Sequence, residues 1–224
     1  MNDKELVAHA ALEYVKDNSI IGLGTGSTAN IFIEMLAEKI RSRSLNISVV
    51  ASSVSSQQKA HDAGLKYISL DQLNEMDLYV DRADEITNPL EILKVGGFDL
   101  IREKLLAKIS KQFIVIGDNS KIVSKIGQNY PIPIEITPIA WKITKNLIEK
   151  IAKKCIVRGN MEKNAFAITS YGNFVLDCEF LYTDLNILEK EIANTPGVFE
   201  HGLFLNMSKL AIIANSGEVK KITN

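Results

Sequence analysis

Apolar residues recur along the chain with two different spacings, and segments of the two kinds alternate. In the first 130 or so residues, short apolar runs typical of buried strands lie between stretches whose apolar residues are three and four apart, as in helices. The predicted strands are 19–23, 47–51, 67–70, 78–80 and 113–116, and the predicted helices are one capped by Asp3, then 29–40, 55–63 and 100–109. This alternation predicts a parallel sheet flanked by helices.

The pattern changes at residues 127–133, a polar stretch that contains Pro131 and Pro133. The elements predicted after it are strand 134–136, helix 141–152, strand 155–157, strands 166–169 and 174–177 around a turn, and helix 185–193, which a Pro196-Gly197 break follows. Strand, helix, two hairpin strands, helix and strand is the order of a ferredoxin-like domain. The runs 203–205 and 210–214 are expected to rejoin the first sheet.

The predicted fold class is therefore α/β, with a Rossmann-like parallel sheet domain and a smaller ferredoxin-like α+β domain. We expect the first domain to comprise residues 1–127 plus 203–224, and the second to comprise residues 128–202. This division would leave the chain with two hydrophobic cores, which its 224 residues and 46% hydrophobic content can supply.

Charge and composition narrow the classes of function. Lys and Arg total 26 against 27 acidic residues, so no net field favours nucleic acid or an anionic membrane, and an anion site must be local. No signal-like segment and no apolar run of about 18 residues is present, which predicts a cytoplasmic protein. Cys155 and Cys178 lack the spacing of a zinc site, so we expect two reduced, buried thiols.

The glycine-rich segment Gly22-Leu23-Gly24-Thr25-Gly26-Ser27-Thr28 lies where a predicted strand ends and a helix begins. Free backbone N–H groups and the helix dipole favour an anion there, and three hydroxyl side chains can donate to it. The segment lacks the lysine of a Walker loop and the glycine spacing of a dinucleotide site, so a small phosphate ester suits it better. The alternative is a tight turn capped by Ser or Thr.

Three acidic residues, Asp81, Asp84 and Glu85, directly follow the predicted strand 78–80. Carboxylates at the carboxyl end of a parallel strand open onto the crevice where such sheets bind ligands. Asp81 and Asp84 could therefore both face a site, although acidic residues before a helix are also common in solvated turns and caps.

Lys94 precedes a glycine turn, and Glu103 follows on the next predicted helix. A carboxylate base and a cation for an enediolate oxygen are what a proton-moving isomerase needs. Taken alone, Glu103 could equally be a surface partner of Arg102 or Lys104. Lys121, after strand 113–116, could reach an anion or face solvent.

Together, these clusters resemble ribose-5-phosphate isomerase of the A type over essentially the whole chain. The matching segments are Gly22 to Thr28, Asp81-x-Ala-Asp-Glu85, Lys94-x-Gly-Gly97, Arg102-Glu103-Lys104, Pro133-Ile134-Glu135, and Pro196-Gly197-Val198 with Gly202-Leu203-Phe204. Each motif is generic, but the ordered set is specific. The resemblance implies interconversion of ribose 5-phosphate and ribulose 5-phosphate without a metal or nucleotide cofactor, by a homodimer or homotetramer.

The resemblance also implies roles for single residues. Glu103 would carry the proton between C1 and C2 through a cis-enediolate, and Lys94 would stabilise the oxyanion. Asp81 would assist ring opening, and Asp84 would position the sugar hydroxyls. The substrate-binding residues would be Thr25, Gly26, Ser27, Thr28, Gly96, Gly97 and Lys121.

The chain departs from the family pattern at Arg82 and Val95, where the family has glycine. If these positions required a positive φ, a side chain would cost roughly 1–2 kcal/mol of strain. Arg82 could also enter the pocket and pair with Asp81 or Asp84. The departures leave open a sugar-phosphate-binding module or an impaired enzyme. A deaminase of amino-sugar phosphates is a further alternative, but no histidine is placed to serve it.

Overall fold

The apolar segments of both halves of the sequence build a seven-stranded sheet, two smaller sheets and their flanking helices. The computed structural model describes residues 1–96 and 98–223. Within them, the strands are β1 Ile20–Leu23, β2 Ser48–Ala51, β3 Lys66–Tyr67, β4 Met76–Arg82, β5 Glu85–Ile86, β6 Ile92–Leu93, β7 Ser110–Asp118, β8 Ile132–Ile136, β9 Lys154–Val157, β10 Phe174–Glu179, β11 Val198–His201, β12 Leu203–Phe204, β13 Leu210–Asn215 and β14 Glu218–Thr223. The α-helices are α1 Asp3–Ala11, α2 Ser27–Arg43, α3 Val54–Asp62, α4 Leu100–Ile109, α5 Trp141–Ile148 and α6 Leu185–Ala193. Short 3₁₀ helices cover Leu12–Tyr14, Leu70–Gln72 and Asn119–Lys121.

The largest sheet has the strand order β14-β13-β7-β4-β1-β2-β3. Its neighbours are parallel except for β14, which runs antiparallel to β13 at the edge. Successive side chains of a strand point to opposite faces, and both faces are apolar here. Leu78 and Val80 pack with α1 and α2, whereas Tyr79 packs with Leu106 of α4 on the other face. The predicted parallel sheet is confirmed.

The second unit is a four-stranded antiparallel sheet of order β11-β8-β10-β9, crossed by α5 and α6. This is the strand order of the predicted ferredoxin-like arrangement. The predicted strand 166–169 is wrong: Phe166 and Ile168 form only isolated bridges, to Gly159 and Phe174. The hairpin partner of β10 is instead β9.

The segment 203–205 was expected in the large sheet, and this expectation is wrong. Leu203 and Phe204 pair with β6 in a separate three-stranded sheet of order β12-β6-β5. This small sheet packs against the α4 face of the large one through Phe204 and Ile92. It therefore joins residues 203–204 to the segment that carries Lys94.

Three local features also differ from or extend the sequence analysis. Asn2, not Asp3, caps α1: its side chain accepts from the N–H of Glu5, whose carboxylate accepts from the N–H of Asn2. Cys155 and Cys178 are buried free thiols, as expected, and they oppose each other on β9 and β10. In the described part of the chain, no helix combines the length and the apolar character needed to cross a membrane.

Candidate active site

The glycine-rich loop, Asp81, Lys94 and Glu103 meet at the carboxyl ends of β1 and β4, where parallel sheets bind ligands. The glycine-rich loop follows β1, and Asp81 and Arg82 end β4. Lys94 follows β6, and Glu103 lies in the first turn of α4. Asp81, Lys94 and Glu103 are all nearly inaccessible to solvent, which sets them apart from surface charges.

The loop from Gly24 to Thr28 has the geometry of an anion cradle. Gly26 has φ 106° and directly precedes Ser27, the first residue of α2. The N–H groups in the first turn of a helix lack intrahelical partners and are available to an anion. Ser27 is exposed, and Lys4 from α1 donates from its Nζ to the Ser27 Oγ over 2.9 Å. A lysine thus reaches the loop from a helix that sequence analysis did not associate with it.

The Thr25 hydroxyl does not line this cradle. Its Oγ1 lies 2.8 Å from the Oγ atoms of Ser52 and Ser53 and 3.0 Å from that of Ser56. Ser56 in turn donates to the carbonyl of Gly24 over 2.6 Å. The predicted donation from this hydroxyl to a phosphate is therefore unsupported, and the serine cluster instead holds the loop in place.

Asp81 lies below the loop and accepts four hydrogen bonds. Its Oδ1 accepts from the backbone N–H groups of Thr25 at 3.0 Å and Arg82 at 2.7 Å. Its Oδ2 accepts from the Tyr79 hydroxyl at 2.5 Å and from Lys94 Nζ. Gly24 is required by this close approach, since a Cβ there would lie 2.2 Å from the Asp81 Oδ1.

Lys94 bridges the two buried carboxylates. Its Nζ pairs with Asp81 and lies 3.5 Å from the Glu103 Oε2. Burial lowers the pKa of Lys94, but the charges of Asp81 and Glu103 outweigh that effect and raise it above its ordinary value. Lys94 is therefore a fixed ammonium at neutral pH.

Glu103 is the titratable group of the site. Burial raises the pKa of Glu103 from 4.5 to about 7, partly offset by the positive charge of Lys94. The Glu103 Oε2 has no hydrogen-bond partner within the described residues, although Lys94 is close enough to form an ion pair. A carboxylate with an uncommitted oxygen and a pKa near neutrality suits a general base.

Asp84 organises the turn that follows Lys94. Its Oδ2 accepts from the N–H groups of Val95 at 2.6 Å and Gly96 at 3.2 Å, while its Oδ1 pairs with Arg82. Burial raises the pKa of Asp84, but the Arg82 charge and these N–H groups hold it below its ordinary value. Gly97, the remaining predicted residue of this turn, lies outside the described residues.

The two departures from the family pattern cause no backbone strain. Neither Arg82 nor Val95 is among the residues with positive φ. The Arg82 side chain extends between the loop and Asp84, where NH1 lies 2.5 Å from Asp84 Oδ1 and Nε donates to the Thr25 carbonyl over 3.1 Å. Val95 packs against the core of the antiparallel sheet.

Supporting residues that sequence analysis missed position the charged ones. The buried Tyr79 ring stacks on Phe113 with centroids 4.9 Å apart, which aims its hydroxyl at Asp81. On α4, Lys104 pairs with Glu200 and donates to the carbonyl of His201 over 2.8 Å, which fixes the helix that carries Glu103. The contact between Tyr79 and Asp81 did have a signal in the sequence. Side chains two residues apart on a strand point to the same face, so a tyrosine at that spacing can reach the aspartate.

Lys121 ends the short 3₁₀ helix that follows β7, at the same edge of the large sheet. The next residue, Ile122, forms a parallel bridge with Ile86, two residues beyond Asp84. Lys121 thus lies near the site. Within the described residues, it shows no hydrogen bond to another predicted site residue.

Comparison with known proteins gives a consistent result. Residues 48–218 match the family model described as ribose 5-phosphate isomerase A (phosphoriboisomerase A). The ribose-5-phosphate isomerase A of Agrobacterium fabrum is 40% identical over 212 residues, which make up 92% of this chain and 91% of that protein.

Solved structures are also similar over nearly the full length. The ribose 5-phosphate isomerase A of Methanocaldococcus jannaschii has 34% identity and a TM-score of 0.92, with 99% of this chain and 98% of that chain covered. A D-ribose-5-phosphate isomerase in complex with phospho-erythronic acid has 34% identity and a TM-score of 0.95, with 100% of both chains covered.

Proposed function

The chain belongs to the ribose 5-phosphate isomerase A family, and we propose that it interconverts D-ribose 5-phosphate and D-ribulose 5-phosphate with Glu103 as the base. The observation that carries this assignment of Glu103 is its burial beside a fixed ammonium. Its Oε2 has no hydrogen-bond partner within the described residues, and Lys94 Nζ is 3.5 Å away. The pair supplies a proton acceptor and a positive charge at one place.

The reaction moves two protons without net oxidation. Glu103 takes the proton from C2 of the open-chain aldose, and the electrons of that C–H bond form a C1–C2 double bond while the C1 carbonyl oxygen becomes an oxyanion. The charge of Lys94 stabilises this cis-enediolate. A proton passes from the C2 hydroxyl oxygen to the C1 oxygen, and Glu103 returns its proton to C1, which gives the ketose.

Asp81 and Asp84 have different parts in this scheme. Asp81 accepts four hydrogen bonds, one of them from Lys94, so its assistance to ring opening requires a sugar hydroxyl to replace one of these donors. Asp84 fixes the Val95–Gly96 turn with one oxygen and reaches the pocket beside Arg82 with the other. This second oxygen is the acceptor for a sugar hydroxyl.

The phosphate of the substrate is proposed to lie on the loop at the start of α2. Gly26, Ser27 and Thr28 offer backbone N–H groups, and Lys4 adds a cation at Ser27. Gly96, Gly97 and Lys121 complete the proposed substrate-binding set. Thr25 contributes through its backbone, because its hydroxyl is held by serines.

Three broader features are also proposals. We place the domain division at residues 1–127 plus 203–224 and 128–202, and we place the protein in the cytoplasm. We further propose that it forms a homodimer or homotetramer. Exposed apolar side chains on and near the antiparallel sheet unit support association, among them Ile139 and Ile168, which are 80% and 63% exposed. Light scattering after size-exclusion chromatography measures the number of copies.

The test is an assay of the native chain with ribose 5-phosphate, coupled to detection of the ketose. We expect turnover by the native chain and loss of nearly all of it in Glu103→Gln, which keeps the size of the side chain but cannot accept the proton. Full activity in the variant would overturn the assignment of the base. A native chain that binds the sugar phosphate without converting it would instead be a binding module.

A further inference from the structure

Arg82 occupies the space between the Gly24–Thr28 loop and the Val95–Gly96 turn. A Cβ built on Gly26 would lie 2.4 Å from the Arg82 Nε, and a Cβ built on Gly96 would lie 2.7 Å from its NH2. Neither glycine could therefore carry a side chain while Arg82 holds this position. The guanidinium thus lies directly against Gly26, the residue that precedes α2.

Two contacts hold the guanidinium there. Nε donates to the carbonyl of Thr25 in the loop, and NH1 pairs with Asp84. The Arg82 side chain is 28% exposed, so part of it remains accessible to solvent, whereas Lys94 and Asp81 are at most 5% exposed. Arg82 is therefore the more accessible of these charged groups and can meet a ligand without breaking the buried pairs.

We propose that Arg82 is a substrate-binding residue of this chain, whose guanidinium contacts the phosphate that lies on the Gly26–Thr28 loop. The planar guanidinium has five N–H donors and suits paired hydrogen bonds to phosphate oxygens. Nε and NH1 each donate one hydrogen bond to the protein, whereas NH2, which lies against Gly96, makes no hydrogen bond within the described residues. This inference rests on the proposed function for the placement of the phosphate, and it adds a phosphate contact that a glycine at position 82 could not make.

The test separates phosphate binding from turnover. Inorganic phosphate and ribose 5-phosphate are titrated calorimetrically against the native chain, Arg82→Gln, Arg82→Lys and Arg41→Gln. Arg41 is exposed near the other end of α2, so its variant controls for the loss of one positive charge. We expect Arg82→Gln to weaken both ligands roughly 10- to 100-fold, the range for a lost charge-assisted hydrogen bond, and Arg82→Lys to restore part of that affinity.

Steady-state kinetics provide a second readout. Arg82→Gln should raise KM for ribose 5-phosphate far more than it lowers kcat, because Arg82 does not touch the reacting carbons. Unchanged phosphate affinity in Arg82→Gln would overturn the proposal, as would a native chain that binds no phosphate. A higher kcat/KM in Arg82→Gly than in the native chain would also overturn it, since Arg82 would then obstruct the pocket. Failure of the native chain to isomerise the sugar would contradict the proposed function but leave the phosphate titrations decisive for Arg82.

Discussion

Lys94 Nζ lies 3.5 Å from Glu103 Oε2 and closer than that to Asp81 Oδ2. The ammonium therefore forms a strong bond with Asp81, whose oxygens already accept four hydrogen bonds. Its contact with Glu103 is looser, and Glu103 Oε2 accepts no hydrogen bond within the described residues. This difference supports the proposal that Asp81 holds the Lys94 ammonium in place and that Glu103 is the base.

The pH dependence of kcat/KM should report the ionisation of Glu103. Burial raises its pKa to about 7, and only the ionised form can accept a proton, so kcat/KM should increase with pH and reach half its maximum near that value. Arg82 lowers the pKa of Glu103 by its charge, so Arg82→Gln should move the midpoint upward, while Arg41→Gln should not. The phosphate of the substrate titrates in the assays of all three proteins. Only the difference between their pH profiles of kcat/KM therefore reports the ionisation of Glu103. Coincident profiles would contradict the predicted coupling.

Replacing Glu103 should stabilise the fold at alkaline pH. The pKa of Glu103 is about 7 in the folded chain against an ordinary 4.5, so the folded state binds more protons between these values and loses stability as pH rises through them. Glutamine does not titrate. The free energy of unfolding is measured in urea at pH 5 and pH 8 for Glu103→Gln and the native chain. The difference between the two proteins should shift in favour of Glu103→Gln by on the order of 1–3 kcal/mol from pH 5 to pH 8. Glu34→Gln, at an exposed position on α2, should show no such pH-dependent gain.

Lys4 should contribute to substrate binding from outside the loop. Its Nζ reaches Ser27 over 2.9 Å, so Lys4→Met should raise KM for ribose 5-phosphate roughly tenfold or more, with little change in kcat. Lys66→Met, at an exposed position of the edge strand β3, makes the same change in charge far from the loop and should leave KM unchanged. Equal KM values in the two variants would remove Lys4 from the binding site.

Gly24→Ala should disable the site through Asp81. The added Cβ would lie 2.2 Å from the Asp81 Oδ1 and 2.6 Å from its Cα, so β4 or the loop must shift. We expect kcat/KM to fall at least about 100-fold, with a stability loss of roughly 1–3 kcal/mol from overpacking. Among the described residues, the atom nearest to a Cβ built on Gly159 is the Ala165 carbonyl oxygen, at 3.7 Å, so Gly159→Ala is the matched control. Thermal melts and kinetics of both variants check this expectation.

Turnover should not depend on a divalent cation. Lys94 is a fixed positive charge where the oxyanion develops, and its raised pKa keeps it charged throughout the neutral range. Activity after dialysis against a chelator should match that of the untreated protein, and added Mg²⁺ should restore nothing. Loss of activity on chelation, with recovery on adding metal, would contradict this role of Lys94.

Periodicity predicted the regular elements well but could not predict the pairing of the shortest ones. The predicted helices 100–109 and 185–193 coincide with α4 and α6. The run 203–205 was assigned to the wrong sheet because a two-residue strand is too short for its spacing to specify a partner. The edge strand β14 was missed because its side chains are almost all exposed and show no apolar alternation.

The site residues were predictable where motif and topology agree, and not where a side chain could turn in more than one direction. Asp81 follows the predicted strand 78–80, Lys94 precedes a glycine turn and Glu103 lies on the predicted helix 100–109, and the resemblance assigned all three to one site. The Thr25 hydroxyl could face a ligand or the protein, and only Ser52, Ser53 and Ser56 decide that it faces the protein. Lys4 was missed because its contact with Ser27 spans 23 residues.

The hydrogen bond from the Lys94 N–H to the Gly202 carbonyl has a consequence for biosynthesis. β12 pairs with β6, directly before Lys94, and β13 pairs with β7. Both strands come from residues 203–215. While the ribosome still holds those residues, β7 has an open edge and the Lys94 segment lacks its partner strand. The nascent chain can therefore build most of its sheet early, but Lys94 is fixed in place only after residues 202–204 have left the ribosome.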